Sequence, residues 1–535
     1  MIATIQVLIL LLVAIAVVAV VAARLAIPAA ILLVLTGVVL ALLPGLPSVR
    51  LQPDAVLLLV LPPVIYTSAV AMSWSDFRFN LRPISLLAVG CVVFTTVAVA
   101  AASHWLLGFT WPLGFLLGAI VSPPDAVAPL AIARRMCLPR RIVVILEGEG
   151  LANDATALIL YRFAVAAVGG QLFSLGETLG MFTAIVLGEL AWGIGIGWLM
   201  LRLRRWVGNP RVEILLSVLT PFLAYWPPQR LGGSGVLATV AAGLYISWNG
   251  LRLISSATRL QGVFFWDFVN YVIEGMVFLL TGLQARTLLE ATRGSRAADL
   301  FMAGALVSVV VIVTRFVWVY PATYLPRWLV PAIARKDPAP PWQWPFMLSY
   351  TGVRGIVSLA AALAIPLVTA SGRPFPERDL ILFVAFIVVL VTLVGQGLTL
   401  PALIRALGLA NAGRLEQMQE RAQELNARRL AIMAVIDRLG TLAADGQVPP
   451  PALARLRTIH GDRLQQIEGR GRDERSAVSN SVSEDLELLL IATERGLVND
   501  LYRAGKLKDE PRRRIERELD LREAELANAR AEKAD

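Results

Sequence analysis

Apolar runs long enough to cross a lipid bilayer recur along the first 405 residues of this 535-residue chain. A membrane-spanning helix needs about 20 apolar residues, and the recurrence of such runs excludes a soluble domain. Short alternating segments would indicate a β-barrel, and the runs do not alternate in that way. The sequence therefore predicts an all-α polytopic membrane protein. We place about thirteen transmembrane helices, at residues 2–23, 28–44, 55–74, 83–107, 112–132, 143–168, 179–201, 212–227, 232–248, 262–284, 298–323, 342–369 and 380–403.

Basic residues predict how these helices are oriented. With the N-terminus outside, the inside loops carry about sixteen Arg and Lys residues and the outside loops about seven. Cytoplasmic loops are enriched in such residues, so we expect an outside N-terminus and a cytoplasmic C-terminus. The same bias explains the net charge of +10 without a nucleic-acid-binding face. No basic residue precedes the run at 2–23, which predicts a retained first span rather than a cleaved signal peptide.

The composition changes after residue 405, and we place a domain boundary there. Residues 406–535 are rich in charge, and apolar residues spaced three and four apart predict a helical cytoplasmic tail. We expect a break at 446–451 and further helices at 452–470 and 484–533. No glycine-rich phosphate loop or His/Cys cluster lies in the tail, so a regulatory or dimerising role is favoured over a second catalytic domain.

The fifth and twelfth spans are each interrupted. Residues 122–129 (SPPDAVAP) place three prolines around Asp125, and residues 351–355 (TGVRG) place two glycines around Arg354. Non-helical backbone at membrane depth survives only where protein or a water-filled cavity satisfies it. Paired broken helices at corresponding positions indicate a transporter site. The two spans are seven apart and run in opposite directions, which predicts inverted six-helix repeats.

The sixth span contains residues 147–154 (EGEGLAND), which place three carboxylates and an amide at bilayer depth. A charge there costs at least about 2.5–3.5 kcal/mol, so such residues are functional candidates. Glu149 and Asn153 are four residues apart and share a helix face, and Asp154 lies about 100° further round. These three side chains can therefore line one side of a cavity that faces the broken fifth span.

The fifth span adds Asp125 and Ser122, so the cavity offers oxygen ligands, which suit hard cations such as Na+ or Li+. Desolvation favours the neutral form of a carboxylate, so a buried one takes up a proton readily. The same oxygens hold either a proton or a cation, and each neutralises the site before it moves. We predict Na+ and proton binding at Asp154, with Asn153 as a hydrogen-bonding organiser. Asp125 either ligates the ion or caps the broken helix.

The remaining buried charges have structural alternatives. Glu149 can form a salt bridge with Arg354, because a buried guanidinium needs an anion, or it can ligate the ion directly. Arg315 in the eleventh span is expected to pair at the membrane interface or between helices, and Glu147 is expected to be a bystander. Two acids of the tenth span are candidates for lining the ion route, Glu274 and Asp267.

Three motifs, at residues 122–128 (SPPDAVA), 147–155 (EGEGLANDA) and 352–355 (GVRG), resemble those of the monovalent cation:proton antiporters of the sodium/proton exchanger type, cation:proton antiporter family 1. The likeness covers about residues 1–405. It implies thirteen helices divided into a dimerisation domain and a six-helix core with crossed, unwound helices 5 and 12. It further implies a homodimer that works by elevator-like alternation, with no catalytic residue and no cofactor.

The resemblance also implies roles for individual residues. Asp154 would be the carboxylate that binds ion and proton, and Glu149 would pair with Arg354 and help hold Asn153. Asn153 in place of a second Asp is similar to the electroneutral branch of the family, which implies one cation per proton. Pro124 departs from the pattern, because many relatives carry Thr before the aspartate of the fifth span, so ion choice stays open.

We therefore expect a Na+ (or Li+)/H+ exchanger of a bacterial inner membrane that serves cytoplasmic pH and sodium homeostasis. K+/H+ exchange on the same fold is the main alternative, because the ligand set does not separate these ions. A cation channel would need a continuous pathway with a filter or charged ring. An intramembrane enzyme would need a nucleophile with a base or clustered histidines, and His104 and His460 are far apart in the sequence. Cys91 and Cys137 predict no disulfide framework.

Overall fold

The computed structural model describes residues 2–25, 27–43, 56–170, 175–292, 296–369, 372–444, 449–470, 487–498 and short stretches beyond. The chain forms two compact units, Met1–Glu416 and Gln417–Asp535. Its described residues are helical apart from connecting turns and one isolated β-bridge between Val368 and Pro374. The predicted all-α fold class is confirmed.

Helices form wherever the hydropathy pattern places a span. Their bounds are α1 (Ile2–Leu25), α2 (Ala29–Leu42), α3 (Val56–Ala71), α4 (Leu81–Leu107), α5a (Trp111–Val121), α5b (Val127–Arg135), α6 (Arg140–Val168), α7 (Leu175–Val207), α8 (Pro210–Arg230), α9 (Val236–Leu253), α10 (Ser256–Ala291), α11 (Ala297–Leu329), α12a (Gln343–Tyr350), α12b (Ile356–Leu363) and α13 (Arg378–Ala406). Among the described residues, seven helices are long and apolar enough to cross a membrane, namely α1, α4, α6, α7, α10, α11 and α13. The predicted total of thirteen spans stays a prediction.

Side chains and prolines at the helix starts explain several of these bounds. Asn209 accepts a hydrogen bond from the Arg211 backbone N–H (3.0 Å), and Pro210 occupies the first turn of α8, where no backbone donor is needed. Ser255 caps α10 by accepting from Thr258 N (3.2 Å). Buried Glu189 of α7 accepts from backbone N–H groups at the start of α9, at Ser234, Gly235 and Leu237. These acceptors satisfy helix-end donors that lipid could not.

The helices of the membrane unit pack in two groups. α4, α5a, α6, α11, α12 and α13 contact one another, and α1, α2, α3 and α7–α10 contact one another. α6 also contacts α3 and α9, and α12b and α13 also contact α10, so these helices lie where the groups meet. α13 is the most enclosed of the long apolar helices, with 72% of its most apolar window buried, against 22% for α1 and α10. The broken helices therefore belong to the more enclosed group.

The first residues after 405 pack with the membrane unit. Leu409 is buried in one apolar cluster with Ile132, Leu138 and Ile142, so this unit extends to Glu416. The tail contains α14 (Leu409–Ala444) and α15 (Pro450–Arg470), and α15 agrees with the helix predicted at 452–470. Residues 487–498 are also helical. Residues 446–448 of the break expected at 446–451, and much of the stretch predicted at 484–533, lie outside the described residues, and α15 already begins at Pro450.

Candidate ion-binding site

The two interrupted helices touch at their breaks. α5a ends at Val121 and α5b begins at Val127, while α12a ends at Tyr350 and α12b begins at Ile356. The backbone N–H of Asp125 donates to the carbonyl of Val353 across the two breaks (2.7 Å). Protein groups therefore satisfy backbone that has left the helix, as membrane burial demands. The predicted interruptions are confirmed, and the two helices meet at them.

The carboxylate of Asp125 lies at the start of both second half-helices. It accepts from Val127 N (2.9 Å) at the start of α5b and from Ile356 N at the start of α12b. A helix N-terminus carries partial positive charge, so two of them stabilise one buried anion. Gly355 permits this approach, because a β-carbon there would overlap the Asp125 carboxylate. Of the two roles open to Asp125, the cap is observed in the structure.

Arg354 satisfies the opposite helix ends. Its Nε donates to the Val121 carbonyl (2.9 Å) and its Nη2 to the Ser122 carbonyl (3.3 Å), both at the end of α5a. Its Nη1 donates to the carbonyl of Gly352, just after α12a. These carbonyls carry the partial negative charge of helix C-termini, so the cation lies where it is stabilised. One anion and one cation thus compensate all four half-helix ends where the two breaks touch.

Asn153 joins α6 to the break in α5. Its side-chain Nδ2 donates to the carbonyl of Pro124 (2.6 Å), which is free because the helix is broken there. Asn153 is fully buried, and its Oδ1 has no hydrogen-bond partner among the described residues. Gly150 brings α6 close to the break, because a β-carbon there would lie 2.9 Å from the Ala126 Cβ. The arrangement leaves one buried carbonyl-type oxygen available to a ligand.

Asp154 is a buried carboxylate without a fixed partner. It follows Asn153 on α6 and is 9% exposed. Among the described residues, no group forms a hydrogen bond or an ion pair with its carboxylate. The charge of Asp125 lies close enough to interact with it. A buried charge without a counter-charge is unfavourable, so this carboxylate must bind a proton or a cation. Asp154 and the free Oδ1 of Asn153 together form the candidate site.

The predicted ion pair between Glu149 and Arg354 is wrong. Glu149 instead pairs with Arg315 of α11 through two parallel bonds, Nη1 to Oε1 (2.5 Å) and Nη2 to Oε2 (2.7 Å). Both side chains are buried, at 2% and 1% exposure, and Arg315 Nε also donates to the Leu348 carbonyl (3.0 Å). Arg354 is surrounded by free carbonyls at the helix breaks and needs no carboxylate. Arg315 lies in an unbroken helix, where the carbonyls are already bonded.

The other predicted residues differ in their surroundings. The hydroxyl of Ser122 donates to Ala119 O (3.3 Å) within its own helix. Glu147 accepts from Arg134 (2.7 Å) in an exposed pair. Glu274 of α10 is half-buried, and its charge is close enough to interact with that of Asp125. Asp267, two helical turns away on α10, is exposed.

One residue beside the break in α12 carried no sequence signal. Thr392 of α13 accepts from the backbone N–H of Arg354 (2.9 Å) and donates to Val388 O (2.8 Å). It lies in a π-helical turn, Val391–Gln396, which widens α13 beside the break. Such turns are frequent at functional sites. A threonine inside an apolar run does not reveal this role, because it often bonds only its own helix.

Comparison with known proteins agrees with this geometry. The family model described as "Sodium/hydrogen exchanger, transmembrane" matches residues 7–406. An uncharacterised Na+/H+ exchanger of Mycobacterium tuberculosis is 34% identical over 506 residues, covering 93% of this chain and 91% of the relative. The Na+/H+ antiporter ApNhaP of Aphanothece halophytica is 31% identical over 496 residues, covering 90% and 89% of the two chains. A sodium, potassium, lithium and rubidium/H+ antiporter of Bacillus subtilis is 33% identical over 392 residues, covering 70% and 58%.

Among solved structures, the sodium/proton antiporter MjNhaP1 of Methanocaldococcus jannaschii has a similar fold, with a TM-score of 0.59 at 20% identity. The match covers 76% of this chain and 98% of that one. Two broken helices that touch beside a buried carboxylate, in a chain whose relatives are named exchangers or antiporters, indicate a membrane protein of the antiporter class. The chain belongs to the sodium/hydrogen exchanger family.

Proposed function

We propose that this protein exchanges Na+ or Li+ for H+ across the membrane, with Asp154 binding the cation and the proton in turn. The observation that carries the proposal is the environment of Asp154, which is buried and has no counter-charge among the described residues. Either ligand neutralises the carboxylate, whereas the empty charged site is costly to move through a low-dielectric barrier. The free Oδ1 of buried Asn153 supplies a second oxygen for the cation.

We propose a stoichiometry of one cation for one proton. Of the three acids grouped around the two breaks, Asp125 is held by two helix N-termini and Glu149 by Arg315. Asp154 alone among the three is without such compensation. One exchangeable carboxylate holds one charge in each direction, so the cycle moves no net charge. Ser122 stays a candidate ligand through its remaining lone pairs, and Glu274 and Asp267 stay candidates for the route.

Elevator-type alternation in a homodimer is our proposal for the movement. Its support is the packing of the helices in two groups, one of which contains the two broken helices, and the large exposed apolar faces of α1, α7 and α10. Such faces suit contact with lipid and with a second copy. We place the protein in a bacterial inner membrane with a cytoplasmic C-terminus, where exchange would serve pH and sodium homeostasis.

K+/H+ exchange is the second candidate. It is favoured by the Bacillus subtilis relative, whose name includes potassium and rubidium among the ions it exchanges for H+. Pro124 also supplies a backbone carbonyl and no side-chain oxygen beside Asp125. A site with a smaller number of fixed oxygen ligands selects less strictly among monovalent cations.

The test is ion-driven proton movement in proteoliposomes that hold a pH dye. Adding Na+, Li+ or K+ in turn should give proton efflux that saturates with ion concentration, and Na+ or Li+ should saturate it at lower concentration than K+. The rate of efflux should not change when potassium and valinomycin clamp the voltage. Asp154→Asn should reduce the flux to that of empty liposomes, while the chain remains monodisperse. A voltage-dependent rate would contradict the one-for-one stoichiometry, and full activity of Asp154→Asn would contradict the site.

A further inference from the structure

A cavity that shares no lining residue with the candidate ion site opens beside the loops that precede α4 and α12a. It has a volume of about 670 Å³. Its lining comes from the short helix Trp74–Phe79, from the start of α4 at Arg82 and Pro83, from the end of α9 at Trp248, and from the short helix Pro331–Lys336 with the following Asp337. The loops concerned are among those predicted to face the cytoplasm.

The rim of this cavity is strongly basic. Arg78 and Lys336 line it, are exposed, and have no acidic partner among the described residues. Arg82 also lines it and binds Asp337 (2.6 Å). Asp337 is shared by two more cations, because Arg327 (2.7 Å) and Arg141 (2.8 Å) bind the same carboxylate. Three arginines on one aspartate leave an excess of positive charge beside the rim.

No other acid neutralises this rim within the described residues. Asp76, on the same short helix as Arg78, binds Arg140 (2.8 Å), so it is already paired. The positive potential is therefore a fixed property of the cavity. It attracts an anion, most strongly at low ionic strength.

The wall of the cavity is aromatic and apolar. Phe79 is 65% exposed and Trp248 is 62% exposed, and Trp74 and Ile333 complete this surface. Tryptophan is enriched where a membrane meets water, because its ring is apolar and its N–H is polar. An inorganic anion has no apolar part to pack against such a wall, and a neutral lipid has no charge to bind the basic rim. The ligand must be amphipathic and negatively charged.

We propose that this cavity binds an anionic phospholipid of the cytoplasmic leaflet. Arg78, Arg82 and Lys336 face the phosphate, and the aromatic wall packs against the upper part of an acyl chain. Basic residues near an anionic lipid surface each contribute about 1 kcal/mol, so loss of two should weaken binding by about tenfold or more. The lining comes from α9 of one helix group and from the connection between α11 and α12a of the other, so a bound lipid bridges both groups.

The proposal is tested with the purified full chain and two lipids with identical acyl chains, phosphatidylglycerol and phosphatidylcholine. Native mass spectrometry of the detergent-solubilised protein counts bound lipids. We expect phosphatidylglycerol to bind at least about tenfold more tightly, and the double variant Arg78→Gln/Lys336→Gln to lose that preference. The matched control, Arg135→Gln/Arg335→Gln, removes two exposed basic side chains that do not line the cavity and should keep the preference.

Two further arms identify the source of the phosphate and the role of the wall. Inorganic phosphate in large excess should not displace phosphatidylglycerol, and Phe79→Ala/Trp248→Ala should weaken binding of the lipid. Equal preference for phosphatidylglycerol in both charge variants would overturn the proposal. Displacement by inorganic phosphate would overturn it in favour of a free-anion site. Binding is measured without an ion gradient, so these outcomes are independent of whether the protein exchanges Na+ for H+.

Discussion

Two buried carboxylates on α6, five residues apart, have opposite surroundings. Glu149 is bound by both ends of the Arg315 guanidinium, whereas Asp154 has no hydrogen bond or ion pair in the part of the chain that the structure describes. Their exposures, 2% and 9%, hardly differ. Burial of an acid at membrane depth therefore does not identify a transport site. The missing counter-charge distinguishes the residue that must bind a mobile ion.

The two carboxylates place different demands on the protein. A bidentate buried pair is fixed, because breaking it leaves an uncompensated charge in a low dielectric. It can hold α6, α11 and α12a together while the chain moves. An unpaired carboxylate is neutralised by a proton or a cation from solution, and it must release that ion again for transport to continue. The comparison predicts that loss of Arg315 affects stability first and that loss of Asp154 affects transport first.

The largest expected effect on stability is that of Arg315→Met. The substitution leaves Glu149 buried without a cation and should lower the free energy of unfolding by about 3–5 kcal/mol. Thermal unfolding in detergent measures the loss. The double variant Glu149→Gln/Arg315→Met removes both charges and should recover most of it. A single variant as stable as the unsubstituted chain would contradict the structural role of the pair.

Arg354→Met should have a smaller effect on the same measurement. It removes donors from the carbonyls of Val121, Ser122 and Gly352 but leaves no carboxylate unpaired. A buried carbonyl left without a donor costs about 1–3 kcal/mol, whereas a buried charge left without its partner costs about 3–5 kcal/mol. Arg354→Lys should recover only part, because an ammonium cannot serve separate carbonyls with a planar fork. If Arg354→Met destabilises more than Arg315→Met, the assignment of the two arginines is reversed.

Pro124 provides a test of ion coordination. Its carbonyl is already used by Asn153, so Pro124→Thr keeps that carbonyl and adds a hydroxyl beside Asp125. One additional oxygen worth about 1 kcal/mol should lower the KM for Na+ by about fivefold. Pro124→Val, which has the same shape without the hydroxyl, should leave the KM of the unsubstituted chain unchanged. Equal KM values for the Thr and Val variants would show that the hydroxyl takes no part.

The smallest effect is expected for Glu147→Gln. Its partner Arg134 is 66% exposed, and exposed ion pairs contribute about 0–1 kcal/mol. Proton flux in proteoliposomes and thermal unfolding should both stay near those of the unsubstituted chain. A large loss of flux would place Glu147 in the transport route.

Much of this arrangement could be predicted from the sequence. Apolar runs located the helices, and the prolines around Asp125 and the glycines around Arg354 located the two breaks. The partner of Glu149 could not be predicted, because Arg315 and Arg354 both lie inside predicted spans and the sequence does not show which of them contacts the sixth span. The choice depends on free carbonyls: Arg354 donates to three of them at the breaks, whereas Arg315 donates to one, at Leu348, and its two terminal nitrogens bind Glu149. Asp125 caps two half-helices at once, and this requires α5b and α12b to meet. A local sequence pattern does not predict that contact.

The most direct test of the central claim is the pH dependence of the KM for Na+, measured as proton flux in proteoliposomes. If Asp154 holds either Na+ or H+, the two ions compete. Lowering the pH must then raise the KM by about tenfold per pH unit once the site is mostly protonated, while the maximal rate at saturating Na+ stays constant. The KM should level off at high pH, and Asp154→Asn should give no saturable flux. A KM that does not vary with pH, with a maximal rate that does, would contradict a shared carboxylate.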